Sequence, residues 1–144
     1  MTLKINVFVD KNEEERIDIF VHKRGKLVDD IEELIYSKNE ILGYKNEETV
    51  KLKFSEISLF TVENEKTKAV TESGEFIIRE RLYMIEEIMP DYFIRLNKSS
   101  LGNIRYFRKF DTSVSGTLKV TFRNGYTDYV SRRQLKAVKE RLGL

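Results

Sequence analysis

Leu118-Lys119-Val120-Thr121-Phe122-Arg123-Asn124-Gly125-Tyr126-Thr127-Asp128-Tyr129-Val130-Ser131-Arg132-Arg133-Gln134 carries the strongest local signals in this chain of 144 residues. Leu118, Val120 and Phe122 alternate with polar residues, the period of a strand with one buried face. Asn124-Gly125 predicts a two-residue type I′ turn, because both residues tolerate positive φ, and Tyr126 to Val130 predicts the returning strand. The period then changes. Leu135, Val138 and Leu142 fall on one helical face with Lys136, Lys139 and Arg141 opposite, and Gly143 predicts the stop. Ser131 and Gln134 have the Ser-x-x-Gln spacing of a capping box, which places Arg132 and Arg133 in the first helical turn. The helix dipole is already positive there, and a sequence tuned for stability alone would carry Asp or Glu. Two arginines at that place suit an anion arriving from outside, a phosphate or the acceptor edge of a guanine.

The same two periods organise the rest of the chain. Phe93 to Leu96 and Ile104 to Phe110 predict strands around the polar stretch Asn97-Lys98-Ser99-Ser100. Leu82, Tyr83, Ile85, Ile88 and Met89 predict a short helix over 80–89, stopped by Pro90. Ala69 to Ile78 predicts a hairpin with Gly74 in the left-handed region. Val50 to Phe54 and Ile57 to Val62 predict strands, the second more buried, followed by the polar loop Glu63 to Thr67. Nearer the N-terminus, Ile5, Val7 and Val9 alternate, as do Ile17, Ile19 and Val21, and each set predicts a strand. Leu27, Val28, Ile31, Leu34 and Ile35 then mark one face of a helix over 26–38, with Asp29, Asp30, Glu32 and Glu33 as a solvated face. The expected fold class is mainly β with short helices (α+β). A strand-strand-helix extension over residues 1–43 precedes a β-rich domain over residues 44–144.

Composition narrows the function. Cysteine is absent and His22 is the single histidine, which leaves no disulfide framework, no thiolate chemistry and no His/Cys metal spacing. No Gly-rich phosphate loop or nucleophile motif is present. The clusters Glu13-Glu14-Glu15 and Glu86-Glu87 read as solvated charge, so no enzyme activity, cofactor or metal is expected. No apolar run approaches the roughly 18 residues of a membrane span, and no signal peptide is visible, so a cytoplasmic location is expected. Charge is uneven: residues 1–90 carry 14 Lys and Arg against 20 Asp and Glu, whereas residues 91–144 carry 12 against 4. That split predicts a polyanion-binding face in the C-terminal third.

Three polar or basic segments sit at joints between elements: Asn64 to Lys68, Asn97 to Ser100, and Ser131 to Arg133. Such mixtures suit a duplex, since cations meet phosphates while Asn, Ser, Thr and Arg read base edges. In order, Arg95 to Ile104, Gly116 to Gly125 and Val130-Ser131-Arg132-Arg133-Gln134 resemble the LytTR family of bacterial DNA-binding domains. Ile57 to Lys68, the Gly74 hairpin and Leu82 to Phe93 extend the resemblance over about residues 44–144.

The resemblance implies a LytTR-type β-rich fold that docks loops, rather than a recognition helix, into successive major grooves of double-stranded DNA. It implies a sequence-specific, response-regulator-like regulator of transcription acting at promoter repeats. By position, Thr67 and Lys68 are the expected readers of the first loop. Lys98 takes the base-contacting place in the second, with Asn97 and Ser99 beside it. In the third, Arg133 is the expected base reader, Arg132 the phosphate contact and Ser131 the cap. Asn103 matches the family's Asn before Ile and is expected to be structural. Two positions depart from the family pattern: Asn97 stands where His is frequent and Lys98 where Arg is frequent, and Lys lacks the planar fork of Arg. The 43 or so residues before the domain are too few for the receiver that most relatives carry, so they resemble the extension of stand-alone LytTR proteins. That extension is expected to form a homodimer or to bind a membrane-protein or sensor partner, without itself inserting into a membrane. The competing reading is a protein-interaction module whose basic face binds an acidic or sensor partner without reading DNA sequence.

Overall fold

The computed structural model describes residues 3–37, 39–112 and 116–144. Lys38, the expected last residue of the first helix, lies outside them. The first element is α1, Lys26–Ser37. Ten strands follow: β1 (Glu40–Lys45), β2 (Glu48–Lys53), β3 (Ile57–Glu63), β4 (Lys66–Thr71), β5 (Gly74–Ile78), β6 (Phe93–Asn97), β7 (Ser100–Asn103), β8 (Phe107–Thr112), β9 (Leu118–Phe122) and β10 (Thr127–Val130). Helix α2, Leu82–Ile88, stands between β5 and β6, and α3, Arg132–Leu142, closes the chain.

The strands form a seven-stranded sheet in the order β2-β1-β5-β4-β3-β7-β6 and a three-stranded sheet in the order β10-β9-β8. Every pairing is antiparallel. Strand β3 explains the layering. Leu59 and Phe60 put one apolar side chain on each face, and Ile57 and Ser58, across a bulge at 57–59, are buried as well. Successive side chains of a strand point to opposite faces, so the two faces need two separate covers. On one face Phe60 joins Phe54, Ile57, Phe93 and Leu101 under Leu82 and Ile85 of α2. Phe54, Phe60 and Phe93 meet there with ring centroids 5.5–5.8 Å apart. On the other face Leu59 packs with Val70, Leu96 and the inward residues of β9, β10 and α3, namely Leu118, Val120, Phe122, Val130 and Val138.

Asn103 holds these layers in register. It is fully buried, its Nδ2 donates to Ile57 C=O at 2.9 Å, and its Oδ1 accepts from Arg105 N–H at 3.0 Å. The expected structural role of Asn103 follows from that geometry.

Three expectations need correction. Residues 3–25 contain no strand, so the two expected between Ile5 and Val21 are absent from the described structure. A strand exists through its ladder, and a two-stranded ribbon with one open face is marginal in water. The Asn124-Gly125 turn is not type I′. Only Gly125 has positive φ, at 84°. Gly125 N–H donates to Phe122 C=O at 2.9 Å and Phe122 N–H to Tyr126 C=O at 2.8 Å, which makes a three-residue loop ending on a left-handed glycine. The two-residue turns with positive φ at both positions lie elsewhere, at Asn46-Glu47 (49° and 67°) and Asn64-Glu65 (50° and 64°). The third is the capping box, whose side-chain bond the start of α3 lacks.

Gly43 occupies a buried position of β1. A Cβ there would lie 2.6 Å from Leu52 Cδ1 and 2.9 Å from Phe76 Cβ, so the close fit of β1 against its neighbours needs the missing side chain. Two stability outcomes are expected in chemical denaturation. Asn103→Ala leaves the Ile57 carbonyl unpaired inside the core and should cost about 2–3 kcal/mol. Glu47→Gly relieves left-handed strain and, after the added freedom of the unfolded chain, should gain roughly 0.5–1 kcal/mol.

Candidate nucleic-acid interface

Backbone pairing brings three chain reversals to one end of the large sheet. Thr61 of β3 lies opposite Ser100 of β7, and Val62 N–H donates to Ser99 C=O at 2.8 Å. The β3–β4 turn, Asn64-Glu65, therefore stands beside the β6–β7 turn, Lys98-Ser99. The third reversal is the junction of β10 with α3, where Ser131 N–H donates to Leu96 C=O at 2.9 Å.

Asn97 fastens the second and third reversals together. Its Nδ2 donates to Asp128 Oδ1 at 3.0 Å and to Tyr129 C=O at 2.7 Å, and its Oδ1 accepts from Ser99 N–H at 2.8 Å. Both ends of the amide are committed. Asn97 is thus placed as the tie of the loop, with Ser99 half-buried behind it and Lys98 exposed at the tip. Lys98 has no ion pair or side-chain hydrogen bond among the described residues.

The expected capping box at the helix start is absent. Ser131 is the N-cap residue in extended conformation, but its side chain makes no capping bond. The reciprocal half of the motif needs the Ser131 N–H, which Leu96 already takes. Gln134 N–H instead donates to Ser131 C=O at 3.0 Å. The first turn has no acidic side chain, and Arg132 and Arg133 are exposed without an ion pair among the described residues. This helix end carries positive charge on top of the positive pole of its dipole.

The first loop is arranged differently. Thr67 is buried in β4, paired with Val62 and Ile78 across the sheet. Lys68 lies on the other face with its Nζ 2.8 Å from Glu63 Oε2 and 3.7 Å from Glu75 Oε2. The hydrogen bond to Glu63 and the two carboxylate charges raise the Lys68 pKa above its usual value. The exposed side chains of this reversal are Asn64, Glu65 and Lys66. The sequence reading passed over Lys66, although period-2 alternation from buried Thr67 puts it outside the core.

Several other cations of the C-terminal third are used by the fold, whereas Arg108 and Lys136, away from the reversals, are exposed without an ion pair among the described residues. Arg95 pairs with Glu86 at 2.9 Å and donates to Asn97 C=O at 3.0 Å. Arg105 stacks 3.9 Å from the centre of the Tyr92 ring, Arg123 lies 5.8 Å from that of Tyr106, and Arg141 donates to Asp91 C=O at 3.0 Å.

A family model described as the LytTr DNA-binding domain matches residues 47–143, about two thirds of the sequence. The chain belongs to the LytTR family. Its relatives include a protein of Staphylococcus aureus strain NCTC 8325 described as an HTH-type transcriptional regulator, 32% identical over 149 residues and aligned over 99% of both chains. A counterpart in strain MW2, under the same description, is 31% identical over the same span. A solved LytTr DNA-binding domain from Bacillus cereus superposes with a TM-score of 0.70 at 20% identity, covering 74% of this chain and 98% of that one. That likeness shows the β-rich LytTR fold. Among the described residues no two helices follow each other directly, so a helix-turn-helix pair is not among them. None of the described helices is long and apolar enough to cross a membrane.

Asn97→Ala removes three hydrogen bonds from the LytTR domain's β6–β7 turn without touching Lys98 itself. The expected outcome is a stability loss of about 1–2 kcal/mol. In hydrogen exchange, the Ser99 amide should lose protection while the Phe60–Leu101 pairing keeps its own.

Proposed function

We propose that this chain is a sequence-specific regulator of transcription that lays the loop-bearing end of its large sheet on double-stranded DNA. The observation that carries this reading is the convergence of uncommitted cations. Lys98, Arg132 and Arg133 are exposed without ion pairs among the described residues, and Asn97 fastens the two segments that carry them. A protein that used these charges for its own stability would engage them, as it pairs Arg95 with Glu86 and bonds Arg141 to the Asp91 carbonyl.

The division of labour follows from side-chain chemistry. Arg133 offers a planar fork to the O6 and N7 acceptors of a guanine. Arg132 and the uncapped helix start suit a phosphate. Lys98 presents a point charge at the tip of its turn and reaches a base acceptor or the backbone between grooves. At the first loop, Lys66 is the exposed cation, and Lys68 contributes once a phosphate competes for it against Glu63. Thr67, Asn97 and Ser99 serve by holding the turns in shape. The regulators of Staphylococcus aureus, similar along their whole length, support the transcriptional role.

Binding to a duplex selected from a random pool, followed against salt, tests the assignment. Arg133→Ala should cost about 1–3 kcal/mol on the selected duplex and relax preference at one base pair. Arg132→Ala should weaken selected and random duplexes alike and reduce the log–log salt slope by roughly 0.9. Equal binding of wild type and Arg133→Ala to both duplexes would remove Arg133 from base readout. A wild type without any sequence preference, but with a stable acidic protein partner, would favour the interaction-module reading instead.

A further inference from the structure

We propose that Glu65, at the tip of the β3–β4 turn, is a specificity-determining residue that accepts a hydrogen bond from the N4 amino group of a cytosine. The inference rests on the reading of this chain as a DNA-binding regulator, and it names a base that the exposed cations do not select.

The first reversal needs a reader other than the expected one. Thr67 is buried between Val62 and Ile78, and Lys68 is held by Glu63. Asn64, Glu65 and Lys66 are the side chains that the turn offers to solvent. Turn geometry accounts for Asn64 but not for Glu65. Both central residues have positive φ, 50° and 64°, and a hairpin chosen for stability carries Asn-Gly at such a place. Glu65 adds left-handed strain and a negative charge, and it has no ion pair or side-chain hydrogen bond among the described residues.

Its position turns that charge into a chemical requirement. Thr61 of β3 is paired with Ser100 of β7, so the β3–β4 and β6–β7 turns are centred two strand spacings apart, about 10 Å. A duplex that meets Lys98 therefore meets Glu65. A carboxylate about 4 Å from a phosphate weakens binding roughly fivefold even with full water screening. The repulsion is offset where the carboxylate finds a donor. In the major groove the donors are N4 of cytosine and N6 of adenine. Adenine N6 stands beside the N7 acceptor, which repels a carboxylate, whereas cytosine presents N4 alone. Lys98, Arg132 and Arg133 carry donors only and select acceptors such as those of guanine. Glu65 is the acceptor among them.

The chain contains its own control. Asn46-Glu47 closes the β1–β2 turn with the same residues and nearly the same φ, 49° and 67°. Lys45, which precedes it, donates from Nζ to Ser73 C=O at 3.3 Å in the β4–β5 turn. Glu47 thus stands toward the opposite end of β4 from Glu65. The two glutamates match in strain and charge and differ in place.

Selection of bound sequences from a random pool, followed by affinity measurements, tests the proposal. The wild type is expected to recover a cytosine that Glu65→Gln exchanges for adenine, because Gln offers N6 and N7 one acceptor and one donor. On the wild-type duplex Glu65→Gln should bind roughly tenfold more weakly. On random DNA it should bind up to about fivefold more tightly, as the repulsion is removed. Glu47→Gln should match the wild type in all three measurements. A wild-type sequence preference that Glu65→Gln leaves intact overturns this inference alone. A Glu47→Gln variant that shifts the preference equally also overturns it, since the effect then belongs to net charge. A wild type without any preferred sequence removes the regulator reading, and this inference with it.

Discussion

The first four residues of strand β3 have water on neither side. Ile57, Ser58, Leu59 and Phe60 are all buried, yet consecutive residues must face opposite ways. One sheet with one covered face cannot satisfy that sequence. Helix α2 and the Phe54–Phe60–Phe93 cluster close one side, while the β8–β10 sheet and α3 close the other. The second cover has a consequence beyond stability. It brings the end of β10 against β6, so that Leu96 accepts the Ser131 N–H and α3 begins beside the Lys98 turn. The position of the basic helix start is a by-product of burying Leu59.

Charge is sorted by the same architecture. The acidic N-terminal portion and the basic C-terminal third do not simply neutralise each other across the fold. Arg95, Arg105, Arg123 and Arg141 are used locally, against a carboxylate, two tyrosine rings and a carbonyl. Those at the reversals are left to solvent. Lys68 is the intermediate case, held by Glu63 and Glu75 with carboxylates that a phosphate would have to displace.

Much of this was legible from periodicity. The runs that became β3, β9 and β10, the stop at Pro90 and the last helix follow from local pattern, because there the local and global preferences agree. The failures share a cause: they depend on partners that a local pattern does not name. Ser131 has the right spacing for a capping box, but its N–H is claimed by Leu96, 35 positions earlier in the sequence. Asn97 looks like a free hydrogen-bonding side chain until Asp128 and Tyr129 arrive beside it. Gly43 puts no side chain at a buried position of β1, and the reason appears only when Leu52 and Phe76 are packed against it. Residues 4–22 show the opposite limit, a strand pattern without a ladder partner in the described chain.

The tie made by Asn97 has a meaning for the DNA as well as for the protein. Because one amide fixes the Lys98 turn to the start of α3, the two cannot adjust their separation independently. On the proposed reading the domain behaves as a ruler. Inserting one base pair between the bases it touches would shift them by about 3.4 Å and roughly 34° relative to that rigid frame. Spacing inside a half-site should therefore be invariant among targets.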